Sequence, residues 1–367
     1  MIGRRDWFAR TLSAGLLAAA ATRKARAASR FTMPGPFRGR VVSVHHPNSI
    51  ASGAYQAGPV RDMIARGMMD LTGAGSATEA WRYFFEPGDV VGIKLNPVGR
   101  PAVISAPEVL HEIVSGLGQA GVKARDIVCY DRYHTEFQQA GFDKWLPDGV
   151  RWTAATVKTH PFQLDMDGYD RDQYMEMALV EPKADKNDAH FRRSYVAKFL
   201  TKEVNKVINL CLLKHHQSAG VTLALKNLSH GLVNNVRRSH ATKSLNACGI
   251  FIPAVVELPV IREKCILHIL DGVQGAYHGG PGRKVEKYVW EHKTMYFATD
   301  PVAMDRVGWD VIDAQRAAVG MKPVALAEAD ADSTFVKMQP EHVEIAGALG
   351  LGEFDTAKID LRKVRLS

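Results

Sequence analysis

Short runs dense in β-branched and apolar residues alternate along this chain with longer stretches whose apolar positions recur every three or four residues. VVSVHH (41–46), DVVGIKLNP (89–97), DIVCYD (126–131), KVINLCLL (206–213), CILHILDGV (265–273) and KTMYFATD (293–300) predict buried strands. VRDMIARGMMDLTG, continuing to Phe85, APEVLHEIVSGLGQAG (106–121) and GVTLALKNLSHGLV (220–233) predict helices. A further helix is expected from Pro301, a favoured first helical residue, with Asp300 as its cap. Strands alternating with helices argue for an α/β protein. Its sheet should be mostly parallel and flanked by helices, as one body or as two lobes with the site between them. Residues 157–195 interrupt the rhythm and read as an insertion, either a lid over the site or a boundary between lobes. Within them DMDGYDRD (165–172) fails as an EF-hand loop, because Gly168 falls fourth rather than sixth, and reads as a solvated acidic loop.

Composition narrows the class. The chain has 367 residues, of which 46% are hydrophobic and 23% charged, which excludes a disordered, collagen-like or disulfide-scaffold protein. No run of uncharged apolar residues is long enough for a permanent membrane span. Six basic residues and one acid among the first 27 account for +5 of the formal charge of +8, leaving +3 for the rest. A basic face for nucleic acid is therefore not indicated.

Residues 1–27 run from a charged start through an Ala-rich stretch to Ala25-Arg26-Ala27, the small residues of a cleavage site. Arg4-Arg5 followed by Asp6, Trp7 and Phe8 resembles a twin-arginine signal. That resemblance implies recognition by the twin-arginine export machinery, a periplasmic or extracellular destination, and a chain exported already folded. Residues 28–40 then read as a Pro/Gly linker, and 41–367 as the α/β domain. Export allows disulfides. Cys129, Cys211 and Cys265 sit in apolar runs and read as core thiols, with one disulfide among the four cysteines left open. No C-x-x-C pair exists, so no iron–sulfur cluster is expected on this chain.

The chemistry concentrates in residues 207–232, VINLCLLKHHQSAGVTLALKNLSHGL. A buried strand ends at Lys214, His215 and His216, and a helix starts a few residues later. Ligands of open α/β sheets bind where parallel strands end and helices begin. Val221, Leu225, Leu228 and Leu232 form the helix stripe, and Thr222, Lys226 and Ser229 flank it one residue on. Lys226 beside the core reads as a base, Schiff-base former or cofactor anchor, or else as a snorkelling lysine. Lys94 and Asn96 follow another strand and suit an anionic ligand. Asp271 and Gly272 follow a third, with a loop carrying His278, Gly280 and Pro281 whose backbone could approach an anion. With Asp300, these strand ends would bring Lys94, Asn96, Lys214, His216 and Asp271 to one edge of a parallel sheet. Asp305 reads as a metal ligand, a base or a complement to the helix dipole. Arg237 and Arg238 bind phosphate or face water, and at most one of His45 and His46 faces a site.

The same segment resembles the signature of the family known as domain of unknown function 362: a strand, Lys-x-His, then G-x-T-x-x-x-K-N-L. The match falls on Lys214, His216, Gly220, Thr222, Lys226, Asn227 and Leu228. VGIKLNP, ILDGVQGAYHGGPG and ATDPVAMD agree in order, over roughly residues 85–320. The spacing H-x-x-x-G-x-[ST]-x-x-x-K also resembles the lactate racemase family. That resemblance implies a nickel-containing nucleotide attached through Lys226 and ligated by histidine at His216 or His240. Leu223 and Ala224 depart from that family, which has small glycines there. Residues and resemblances together give an exported enzyme acting by proton or hydride transfer on a small anionic molecule. Its catalytic residues would be Lys226, His216 and Lys214, its cofactor-binding residues Lys226, Thr222, Asn227 and Gly280. His216 and His240 would hold a metal, and Lys94, Asn96 and Asp271 the substrate. The alternatives are a binding or accessory protein for an anion or metal, and a redox partner of an iron–sulfur protein.

Overall fold

The computed structural model describes residues 29–157 and 162–367; the expected signal segment lies outside them. The strands of the main sheet and of the insertion are, in chain order, β1 (Arg40–His45), β2 (Val91–Lys94), β3 (Ile127–Tyr133), β4 (Arg151–Thr156), β5 (Tyr169–Glu176), β6 (Arg193–Ala197), β7 (Lys206–His216), β8 (Gly220–Val221), β9 (Cys265–Ala276), β10 (Val289–Ala298) and β11 (Asp360–Arg365). The main sheet runs β11-β1-β10-β9-β7-β2-β3-β4, with β8 paired to the end of β7. β9, β7, β2, β3 and β4 are parallel to one another. The expected α/β class with a mostly parallel sheet is therefore the observed one.

Alternation along the strands explains why both faces are covered. On β7, Ile208 and Leu210 join one core, and Val207, Cys211 and Leu213 the other. The first core is closed by α1 (Ala57–Thr72), α2 (Ala77–Phe84) and α3 (Pro107–Gln119) through residues such as Met63, Trp81 and Ile113. After the short α4 (His134–Gln139), α5 (Leu223–Leu232), α6 (Cys248–Val256), α7 (Pro259–Lys264) and α8 (Pro301–Ala318) complete the helices used below. Leu225, Phe251 and Met304 from α5, α6 and α8 pack into the second core.

Several expectations change. β10 is antiparallel to both its neighbours, β9 and β1. The chain between residues 276 and 289 carries no crossover α-helix, and a parallel return needs one. The end of β10 therefore lies at the opposite edge of the sheet from the ends of β2, β3, β7 and β9, and Asp300 leaves the site with it. Asp300 caps α8 as expected, accepting from Val302 N at 3.0 Å and Ala303 N at 2.9 Å, and it also binds Gly39 N and Glu353 N. Residues 29–40, expected as a linker, are docked on the domain, because Phe31 and Phe37 pack on Phe84 and Met33 N donates to Arg262 O. The insertion folds as the antiparallel pair β5/β6, with Tyr169, Met175 and Tyr195 in the second core. Buried Arg238 pins it through Met177 O, Leu179 O and Ser194 Oγ rather than binding phosphate or facing water. The four cysteines are buried free thiols. Among the described residues no helix is long and apolar enough to cross a membrane.

The start of α5 is the junction that places the site. Leu223 adopts φ +43°, in the left-handed region that side chains with a Cβ rarely enter. Asp305 on α8 accepts from Ala224 N at 2.7 Å and Leu225 N at 2.9 Å, satisfying two of the donors a helix leaves open at its first turn. Asp305 thus complements a helix start, but that of α5 rather than that of its own helix α8, which the sequence suggested. Asp305→Ala is expected to lower the unfolding free energy by about 1–3 kcal/mol, since it strands two buried donors. Urea unfolding followed by circular dichroism measures this, and an unchanged midpoint would mean that other groups hold the start of α5.

Candidate anion-binding active site

Three adjacent parallel strands, β7, β2 and β3, end side by side, and α5 begins over them. A cleft of about 300 Å3 opens there, lined among others by Lys94, Asn96, Asp131, Arg132, Lys214, His216, Thr222, Lys226 and Asn227. Its floor is a closed polar network. Lys94 Nζ lies 2.6 Å from Asp131 Oδ1, both side chains buried, and also donates to Leu95 O and Asn227 Oδ1. Asn96 Nδ2 donates to the same Asn227 oxygen at 3.1 Å, and Asn227 Nδ2 donates to Asn209 Oδ1 at 2.7 Å. Lys214 Nζ donates to Asn96 Oδ1 at 2.9 Å and to Val98 O. Gly231 on α5 makes room for this floor, for a Cβ there would stand 2.0 Å from Lys94 Cε. Lys94, Asn96, Lys214 and Asn227 are thus brought together as the sequence suggests, but their polar atoms face one another and tie strand ends to α5. Burial, then the nearby charges of Lys226 and Lys94, holds the Lys214 amine well below its ordinary range.

Above that floor stand polar groups with no protein partner. Lys226 Nζ makes no hydrogen bond or ion pair among the described residues. Burial brings its pKa from 10.5 down to about 8, opposed by Cys248 and assisted by Arg132 and Lys94. Arg132 stacks on the Tyr133 ring at 4.2 Å and donates through Nη2 to Tyr133 Oη at 2.6 Å, while its buried Nη1 is unpartnered. Thr222 Oγ1 is also buried and unpartnered. A buried polar atom without a partner calls for an explanation, and for these two cleft residues a bound ligand would supply it.

The histidines are sorted by their neighbours. His216 Nδ1 accepts from Ser218 N at 3.1 Å and Ala219 N at 3.3 Å, with Ser218 Oγ at 2.9 Å. Backbone N–H groups only donate, so Nδ1 is unprotonated and the neutral ring carries its proton on Nε2. Burial first, then Lys226, His240 and His230, pushes the His216 pKa well below 6.5 and keeps the ring neutral. His216 therefore offers an N–H donor. His240 Nδ1 lies 2.7 Å from Ser239 Oγ, whose own proton goes to Val236 O at 2.7 Å. His240 must donate there, which leaves its Nε2 as an acceptor, and burial with Lys226 and Arg132 holds its pKa down at about 3.

Other expected site residues are elsewhere. Asp271 on β9 faces the α1 side of the sheet, where its carboxylate accepts from Tyr55 Oη at 3.1 Å and Val273 N at 3.1 Å; burial lifts its pKa to about 7. Gly280 is needed for a close approach, since a Cβ there would lie 1.8 Å from His215 O. Its neighbour Pro281 reaches the cleft. His278, expected as a metal ligand or a surface loop residue, is buried between Asp330 at 2.8 Å and Arg316 at 3.2 Å. Arg237 lines the cleft, ion-paired to Glu181 at 3.0 Å. Sequence reasoning missed Asp131, Arg132, His230 and Cys248. Asp131 and Arg132 follow a buried run just as Lys94 does, and His230 lies four residues after Lys226 on the same helix face. Cys248 left no signal beyond its identity.

A parallel-stranded α/β fold with a cation-rich cleft at its carboxyl edge is the class this chain defines. The family model described as Domain of unknown function (DUF362) matches residues 91–310, more than half the chain, and the chain belongs to that family. A crystal structure of a Thermotoga maritima protein is similar at 12% identity and a TM-score of 0.37, covering 62% of this chain and 52% of that one. The chain thus spans about half the length of that relative. No curated protein matches. Of the two histidines expected to hold the nickel nucleotide suggested by the racemase-like spacing, His216 does not fit: its Nδ1 lone pair is taken by two backbone N–H groups and its Nε2 carries the proton.

The sign of the Lys226 shift gives a stability prediction. Below about pH 8 the lysine is charged in both states, and the cost of burying it is fully present. Between 8 and 10.5 the unfolded chain binds more protons, so stability rises with pH. Lys226→Met should therefore stabilise the fold at pH 7, by roughly 3 kcal/mol from this source, and the advantage should fade as pH approaches 10.5. Parallel urea titrations of both proteins at the two pH values test it; a gap independent of pH would place the ammonium in water.

Proposed function

We propose that this chain is an exported enzyme that binds a small organic anion in the cleft and moves a proton with Lys226 as base. One observation carries the reading: a buried lysine without a protein partner for its amine lines the same cleft as Arg132, His216 and Thr222. The export part rests on the Arg4-Arg5 segment and its cleavage pattern. An anion such as a carboxylate would be held by Arg132 Nη1, the His216 Nε2–H and the Thr222 hydroxyl, all donors with no competing protein acceptor. Glu136 also lines the cleft, and burial with the charge of Asp131 raises its pKa, which reduces the negative charge facing such a ligand. With a pKa of about 8, roughly a tenth of Lys226 is the free amine at pH 7, far more than for an ordinary lysine. That amine can take a proton from the carbon next to the bound carboxylate, and the donors would stabilise the charge that develops on oxygen.

The test is solvent exchange. A panel of 2-hydroxy, 2-amino and 2-oxo carboxylic acids is incubated with the protein in deuterium oxide and followed by proton NMR. Deuterium is expected at the α-carbon of at least one member, with the rate reduced about 10²–10⁴-fold in Lys226→Met. Saturable binding of panel members without exchange would replace the enzyme by a carrier of the same anion.

A further inference from the structure

Beside Lys226, the wall of the cleft carries a second cluster that the proton-transfer reading does not use. His230 comes from the last turn of α5, His240 from the turn Arg237–His240, and Cys248 is the first residue of α6. One nitrogen of each ring and the Cys248 Sγ all lie within 4.8 Å of one another. We propose that these three residues bind one divalent ion of the zinc class, with its fourth position open to the cleft.

The donor set is the first argument. Two imidazoles and a thiolate suit a tetrahedral, borderline-soft ion and are poor ligands for magnesium or calcium. Three protein ligands with one position free is the arrangement of zinc sites that take a substrate or water, rather than of closed structural sites. Both His230 and His240 line the cleft, so the free position faces the space assigned to the anion. Metal-ligating histidines usually give their second nitrogen to an oxygen that fixes the ring. Ser239 Oγ is placed to do this for both rings. It stands 2.7 Å from His240 Nδ1 and 3.1 Å from His230 Nε2, and its own proton is committed to Val236 O. Both rings must therefore donate to it. His240 keeps the lone pair of Nε2 free, and His230 keeps that of Nδ1, where Ser229 Oγ at 3.0 Å would give way to the ion. Cys248 Sγ has Ser218 Oγ at 3.5 Å, a hydroxyl that can support a thiolate. On binding, the thiol loses its proton to solvent as the sulfur–metal bond forms, and nothing is oxidised or reduced.

The ligand set differs from the His216–His240 pair expected from the sequence. The His216 and His240 rings are 6.0 Å apart, but the lone pair of His216 is taken by two backbone N–H groups. The site does not depend on Lys226 acting as a base.

Cobalt(II) added to the full chain, stripped of metal by dialysis against a chelator, reads the site directly. A single equivalent should bind, giving visible bands of tetrahedral cobalt and a near-ultraviolet sulfur-to-cobalt band, and zinc should displace it. Cys248→Ser should abolish the sulfur band. His230→Ala and His240→Ala should each weaken binding about tenfold or more, and Ser239→Ala should weaken it while the cobalt spectrum keeps its shape. Circular dichroism of each variant separates ligand loss from misfolding. Failure of the unaltered chain to bind cobalt stoichiometrically would overturn the proposal, as would a sulfur band that survives in folded Cys248→Ser. Neither result bears on α-proton exchange, so the two readings fail separately.

Discussion

A lysine at the end of a parallel strand, with helices on both faces of the sheet, has no water to hold its charge and must find an anion. Lys94 finds Asp131 on the next strand at 2.6 Å. Such a pair gains little over a well-packed apolar pair, but removing one partner leaves a buried charge and is costly. The consequence here is positional. The pair fixes where β2 and β3 end relative to each other, and Asn227 brings α5 onto the same point. Asn96 and Lys214 extend the network to β7. Four elements are tied together before any ligand is considered, so the lysines and amides that look most like binding groups are largely spent in holding the edge.

What remains for a ligand is selected by that expenditure. Lys94 is neutralised by Asp131, and Arg237 is paired with Glu181. Lys226 and one arm of Arg132 are left, with neutral histidines around them. Burial in a cation-rich cleft keeps His216 and His240 unprotonated. Their neutrality limits the positive charge the cleft must tolerate and makes each ring directional: one presents a proton, the other a lone pair. The direction is set by backbone amides at His216 and by the Ser239 hydroxyl at His240. Both are elements of local structure rather than of the ligand.

Much of this edge was legible in the sequence. Polar residues placed just after buried runs identified Lys94, Asn96, Lys214 and His216, because a strand that leaves the core must end at an edge of the sheet. The same reasoning failed for Asp300, since sequence pattern does not carry strand direction and β10 runs the other way. It failed for Asp271 through facing rather than direction, because that carboxylate points to the α1 side and Tyr55. Asp131 and Arg132 obeyed the rule and were passed over, their run having been read only as a strand. Cys248 was illegible for a physical reason. Its neighbours in the cluster are eight and eighteen residues earlier, joined through turns that no periodicity describes.

α5 shows why Lys226 is the informative residue. Nine of its ten residues are buried, so it is a core helix rather than an amphipathic one facing water on one side. A polar side chain on such a helix costs stability unless it is hydrogen-bonded. Asn227 bonds to Asn209 and Lys94, and Ser229 Oγ lies 3.0 Å from His230 Nδ1 and 3.3 Å from the Lys226 carbonyl. Lys226 carries the largest penalty of the three and has no partner to offset it. The helix cannot rotate to relieve this, because Asp305 holds its start and Asn227 its middle. A snorkelling lysine would reach bulk water; this one is buried at the edge of the cleft, with its charge destabilised where an anion would restore it. That tension between a fixed backbone and an unsatisfied amine is the feature a purely structural role for Lys226 does not explain.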